Sequence, residues 1–456
     1  MRVYATSRGL DPGLLTPGHD LVMDIDPAHG LDLAEGVLAD DHLDQAIRWE
    51  IHGAGLPAVI GCREALDASL TVNGLCLPWL WELPAERALI TMIGHAHALR
   101  RAVERFDADV LVLAGADARL RRVAAAVASS AGIDVVQQPA KANAPRARRP
   151  LSATAARRRA VRVAREVGVP SRLRPGSVVF VSYWPLMPLL DRMLADPGRR
   201  PAVLMSRLPT GPRRTVRTAL RGGWLGTPGP ADRRHAARSA TRELAAAGRV
   251  APAPLELCAL ELGAAAHAEI LDIARARAAS DLATAATLRR AFRRALISSV
   301  VSACDADPDG RLITSLAQAA GIRTLALAHG AYLLPQTLVD LDLCDEPPLW
   351  SEAVAPPITN LERPIHVVGY PAPTPTAPPI RPAPASDRPR VLVLAQPAPY
   401  GVGLAGPRIA MRQYAAAVGV LLAHRPHARI VLRPHPSAAR REAELELAAR
   451  LPGATF

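Results

Sequence analysis

Short apolar runs alternate with alanine-rich segments of helical spacing along most of the chain. The run DVLVLAGAD, residues 109–117, is uninterrupted by charge until a glycine turn, the pattern of a strand covered on both faces. Apolar residues then recur at helical spacing over 118–131, and Ile133 opens the next strand. The same order of strand, helix and strand is predicted three more times. It runs over 177–182, 187–194 and 202–206, then over 297–304, 310–320 and 323–328, and finally over 390–395, 409–423 and 429–433. Strands separated by helices pair in parallel, so the pattern predicts an α/β protein with a doubly wound parallel sheet in each of at least two lobes.

Two segments break the rhythm. Pro371–Pro389 is dense enough in proline to require an extended linker, dividing an N-terminal region, 1–370, from a C-terminal segment, 390–456. The stretch 140–174 carries a long arginine series against the single acid Glu166, and a further boundary there is the alternative division. The C-terminal segment has room for two strands, whereas a nucleotide-binding lobe usually needs four to six. The second lobe is therefore expected to be incomplete, being either a truncated copy or completed by another chain.

Composition narrows the class. With 456 residues, 49% of them hydrophobic, the chain holds enough apolar material for two or three globular domains. The formal charge of +13 comes almost entirely from arginine, Lys141 being the one lysine. Such a surplus favours anionic partners, and the inner surface of a membrane is one. Nucleic acid is not expected, because no zinc-finger, basic-zipper or aromatic ribonucleoprotein pattern accompanies the charge. Five scattered cysteines without short paired spacings argue against a disulfide framework or a zinc cluster. No apolar segment of signal-peptide or membrane-spanning length is found, and a cytoplasmic protein is expected.

Candidate chemistry collects where predicted strands end. The run GIRTLALAHG delivers His329 and Gly330 to the carboxyl end of one strand, the edge at which open α/β sheets bind ligands. A histidine there can act as a general base near neutral pH. Asp305 follows the preceding strand and is the acidic candidate beside it. Asp307 and Asp309, in the same loop, are explained by turn chemistry and helix capping, and no metal site is expected. Beyond the linker, RIVLRPHPS brings Arg433, His435 and Ser437 to a strand-to-helix turn. Ser437 is a good N-cap, the helix start supplies unpaired N–H groups, and Arg433 and His435 can hold a phosphate. Gly369 in VVGYP sits at the hinge before the linker. No Walker-type loop or dinucleotide fingerprint occurs, which disfavours kinases and nicotinamide oxidoreductases.

Taken in order, GIRTLALAHG, VVGYP, a linker, a new strand and RPHP resemble the bacterial surface and capsular polysaccharide glycosyltransferases of GT-B type, together with polysialyltransferase-like and glycerophosphotransferase proteins. The resemblance covers 297–437. It implies two Rossmann-like lobes flanking a cleft, with a nucleotide-sugar donor as substrate and no separate cofactor. It implies a glycan or lipid-linked acceptor on the N-terminal side. By the same resemblance His435 would contact the donor phosphate and His329 would face the acceptor. The family's later Ser/Thr-rich donor loop has no counterpart in this chain, so the alternative function is a non-catalytic remnant or an assembly subunit of a polysaccharide-synthesis system.

Overall fold

The apolar runs of the first third of the chain build one parallel sheet. The computed structural model describes residues 2–6, 20–24, 37–38, 45–138, 170–181, 186–204, 212–257, 260–294, 296–303, 307–327, 344–346, 348–349, 366–367, 390–394 and 407–433. Strands β1 (Arg2–Thr6), β2 (Asp20–Asp24) and β3 (Val37–Leu38) come first. Helix α1 (Gln45–Asp67) follows, then the hairpin of β4 (Thr71–Val72) and β5 (Leu75–Cys76), the single turn α2 (Leu77–Leu80) and α3 (Glu82–Arg105). Strand β6 (Val110–Ala114), helix α4 (Ala118–Ala131) and strand β7 (Asp134–Gln138) complete the unit. The sheet order is β3-β2-β1-β6-β7, with every pairing parallel. Helix α4 starts because the Asp117 carboxylate accepts the Leu120 N–H at 2.8 Å. It stops at Gly132, whose φ of 67° is open to glycine at little cost.

The second sheet repeats this plan. Its elements are β8 (Ser177–Phe180), α5 (Met187–Ala195), β9 (Pro201–Leu204), α6 (Pro212–Arg221), β10 (Gly223–Leu225) and α7 (Pro230–Ala247). A short hairpin, β11 (Glu256–Leu257) with β12 (Leu260–Glu261), leads into α8 (Gly263–Arg293), and β13 (Ile297–Ser302), α9 (Pro308–Gln318) and β14 (Arg323–Ala326) follow. The order β10-β9-β8-β13-β14 is again all parallel. In both sheets the first strand lies at the centre, the second and third on one side, and the fourth and fifth on the other. This is the α/β doubly wound class that the apolar spacing predicts, and each sheet has its reversal of strand order beside the first strand. Further on, β15 (Pro348–Leu349) pairs in parallel with β16 (His366–Val367). Strand β17 (Arg390–Leu394) pairs in parallel with β18 (Arg429–Arg433) across α10 (Pro407–His424).

The two sheets share one core. Alternation along a strand sends successive side chains to opposite faces. Val3, Ala5, Leu111 and Leu113 of the first sheet, and Val179, Ala202, Leu204 and Val300 of the second, all belong to a single buried cluster. Opposite faces carry smaller clusters: Tyr4 with Val112 and Ala114, and Phe180 with Val203, Val301 and the apolar side of α5. Helix α8 joins the two halves of the main cluster. It packs on α1, α2, α3 and α4 of the first unit and on α7 and α9 of the second.

Polar ties reinforce that junction. The buried Glu269 on α8 accepts from Arg119 at 2.5 Å and Arg122 at 2.7 Å, both on α4. Arg311 on α9, 3% exposed, donates to the Trp79 carbonyl at 2.8 Å and to Glu82 Oε2 at 2.5 Å, with its guanidinium 4.8 Å from the Trp79 ring centre. Arg63 on α1 takes the other oxygen of Glu82. A buried carboxylate with two arginines is compensated only while both stay in place.

Candidate functional site

Strands β9 and β10 end at Leu204 and Leu225, and both residues line a pocket of about 490 Å³ at the carboxyl edge of the second sheet. The volume falls within the range of small-molecule sites. Helices α7, α8 and α9 close it. Pro228 comes from the turn before α7 and Arg233 from its first residues, the face from Ala276 to Leu288 from α8, and Asp309, Leu312 and Ile313 from the first turns of α9. Helix α9 begins at Asp307, whose side chain accepts the Gly310 N–H at 2.8 Å. Two helix starts and two strand ends therefore meet at one pocket, where backbone N–H dipoles favour anionic ligand groups.

Charge inside the pocket is organised around Asp281. The Trp81 indole Nε1 donates to Asp281 Oδ2 at 2.8 Å, and Arg277 reaches the same carboxylate from one turn earlier at 3.3 and 3.4 Å. Arg277 Nη2 also stands 3.5 Å from Asp309 Oδ1. Burial pushes the Asp281 carboxyl above the usual carboxylate range, although Arg277 and the Trp81 N–H pull the other way. Arg277 is about one-third exposed. Ser280 and Thr284 add hydroxyls, and the alanines of α8 leave space between them. The arrangement suits a ligand with hydroxyl groups and an apolar portion.

Most of the residues singled out from sequence fall outside the described part of the structure. His329, Asp305, Gly369, His435 and Ser437 are outside the described residues. Arg433 is described in its backbone alone, as the last residue of β18, paired with Leu394. The strands leading to Asp305 and His329 are neighbours: Ser302 at the end of β13 is in register with Ala326 at the end of β14. Asp307 takes the capping role at α9 and Asp117 takes it at α4, whereas Asp309 lies inside the first turn of α9 and faces Arg277 in the pocket. The pocket residues Arg277 and Asp281, and Trp81 bonded behind Asp281, are not among the residues that the sequence motifs point to. One signal for them exists in the sequence, the four-residue spacing of Arg277 and Asp281 inside an alanine-rich helix.

The fold and pocket define a class: an α/β protein of two doubly wound parallel sheets with a ligand-sized pocket at the carboxyl edge of the second. No family model matches the chain, and no curated protein matches it. Among solved structures the chain is similar to Staphylococcus aureus MnaA with UDP, at 10% identity over 62% of this chain and 68% of that one, with a TM-score of 0.33. Among the described residues, no helix is long and apolar enough to cross a membrane.

Proposed function

We propose that the protein is a nucleotide-sugar-dependent glycosyltransferase that passes a sugar to a surface or capsular polysaccharide acceptor. The observation that carries the reading is the pair of parallel sheets with identical strand order and the pocket at the carboxyl edge of one of them. That edge is where sheets of this class receive nucleotides and sugars. The ordered motifs around His329 and His435 add the donor and acceptor assignments. In the reaction, the acceptor oxygen attacks the anomeric carbon, the bond from that carbon to the phosphate oxygen breaks, and a base takes the acceptor proton. His329 is the proposed base, with Asp305 beside it. Arg433, His435, Ser437 and Gly369 are the residues proposed to hold the nucleotide donor and its departing phosphate.

Ligand binding tests this reading directly. UDP-, GDP- and CMP-sugars are screened by thermal shift and calorimetry on the full chain. A ligand present at about 100 times its dissociation constant adds roughly 2.7 kcal/mol to stability. One nucleotide sugar is expected to raise the melting temperature, and its free nucleotide to compete. If all three classes leave the protein unshifted and give no binding heat, the reading is wrong.

A further inference from the structure

Helix α6 presents its apolar residues to solvent. Val216 is 56% exposed and Leu220 72%, one turn apart on the same side, whereas Thr218 between them is 3% exposed. Two residues are about 200° of helical turn, so the buried side that anchors α6 faces away from the Val216–Leu220 stripe. An ordinary surface helix does the reverse and buries its apolar stripe. Among the described residues, α6 packs chiefly on α5 and β10.

The surroundings are strongly cationic. Between Asp196 and Asp232 the chain contains seven arginines and no acidic residue. Arg217 and Arg221 stand on α6 itself, beside the stripe, and both are at least partly exposed. An outward apolar stripe bordered by arginine is the pattern of a helix that lies in a lipid headgroup layer.

We propose that α6 docks the protein on an anionic lipid surface, with Val216 and Leu220 inserted among the acyl chains and Arg217 and Arg221 paired with headgroup phosphates. Charge complementarity selects this occupant. A second copy of the chain would bring arginine against arginine across the same face. Nucleic acid would satisfy the charge and leave two aliphatic side chains with no base to stack on. Two side chains are a shallow wedge, and binding therefore depends on hydrophobic and electrostatic contributions together. Because α6 joins β9 to a parallel neighbour, its N-terminus lies toward the carboxyl edge of the sheet, the edge that also carries the pocket. The inference stands on the helix alone and does not require the glycosyltransferase reading.

Vesicle flotation of the full chain provides the test, with phosphatidylcholine vesicles made with or without phosphatidylglycerol. The wild type is expected to float with the anionic vesicles, to stay behind with the neutral ones, and to be released by salt. Val216→Glu with Leu220→Glu should lower partitioning at least about tenfold, with the melting temperature unchanged because both side chains are exposed. Arg217→Gln with Arg221→Gln should lower it by about fivefold per arginine and flatten the salt dependence. Leu220→Trp should tighten binding. Wild-type protein that ignores anionic vesicles overturns the proposal, as does a glutamate variant that floats as well as the wild type. A solution dimer that the same glutamate variant dissolves also overturns it, by assigning the stripe to a second copy of the chain.

Discussion

Trp81 and Asp281 are 200 residues apart in sequence, yet the indole N–H of one is bonded to the buried carboxylate of the other at 2.8 Å. The bond ties the junction of α2 and α3 to the middle of α8, and so ties the first sheet's helices to the wall of the pocket. Neither residue can be changed in charge or shape without affecting both units.

Asp281→Ala is therefore expected to destabilise the protein by about 1–3 kcal/mol, the cost of leaving the Trp81 N–H buried without an acceptor. Asp281→Asn keeps an acceptor oxygen and should do less harm. The carboxyl is held above its usual range by burial, so its favourable contribution is complete at low pH and is lost as pH rises through that raised value. The asparagine variant lacks this loss. Its melting temperature relative to wild type should climb between acidic and neutral pH, and a falling difference would contradict the assignment.

Arg311 and Glu82 form the second tie between the units. Arg311→Ala should cost about 3–5 kcal/mol, since the buried Glu82 would keep Arg63 alone as a charge partner. Arg311→Met combined with Glu82→Gln should cost less than the sum of the single changes. Chemical denaturation of the four proteins gives the coupling, and strict additivity would show that the pair does not act as a unit.

His95 on α3 is buried, and its Nδ1 has no hydrogen-bond partner among the described residues. Burial and the nearby Arg119 push its imidazole down to about 4 from 6.5. The unfolded chain takes up a proton below about pH 6.5 and the native protein does not, so stability contributed at neutral pH is lost as pH falls toward 4. The full loss is on the order of 3 kcal/mol. His95→Leu should flatten that part of the stability profile. An unchanged slope would assign it to the carboxylates instead.

For the proposed reaction, His435→Ala is expected to weaken nucleotide-sugar binding by an amount of about 1.5–3 kcal/mol, that of a charged hydrogen bond. His329→Ala should leave donor affinity near wild type and lower turnover by about 100- to 10,000-fold. Calorimetry and single-turnover rates on both variants separate the roles. Loss of melting temperature without a selective ligand effect would mean that the two histidines are structural.

How much of this was legible in the sequence depended on how each element carries its signal. Strands β6, β8, β13, β17 and β18 are apolar runs bounded by turn residues, and periodicity found each of them to within about two residues. Helix α4 was marked at both ends by Asp117 and Gly132. Helix α8 was not recognised as a junction. Its buried face is largely alanine, and residues such as His267, Glu269 and Asp281 are buried beside it, so the polar side chains that make its contacts look like surface in the sequence. The pocket escaped for the same reason. Its defining contact joins Trp81 to Asp281, and local pattern carries no information about a partner 200 residues away.

The position of α8 has a consequence for biosynthesis. The last strand of the first sheet ends at Gln138, and the helix that covers that unit's flank begins at Gly263. At ordinary ribosomal rates the interval between them takes on the order of ten seconds. During that time α1, α2, α3 and α4 lack the helix that packs on them, and Trp81 waits for an acceptor not yet synthesised. The nascent first unit then exposes apolar surface that the complete protein buries, the condition under which chains aggregate. A gene split after residue 138 should give an N-terminal fragment that becomes soluble when the remainder is co-expressed.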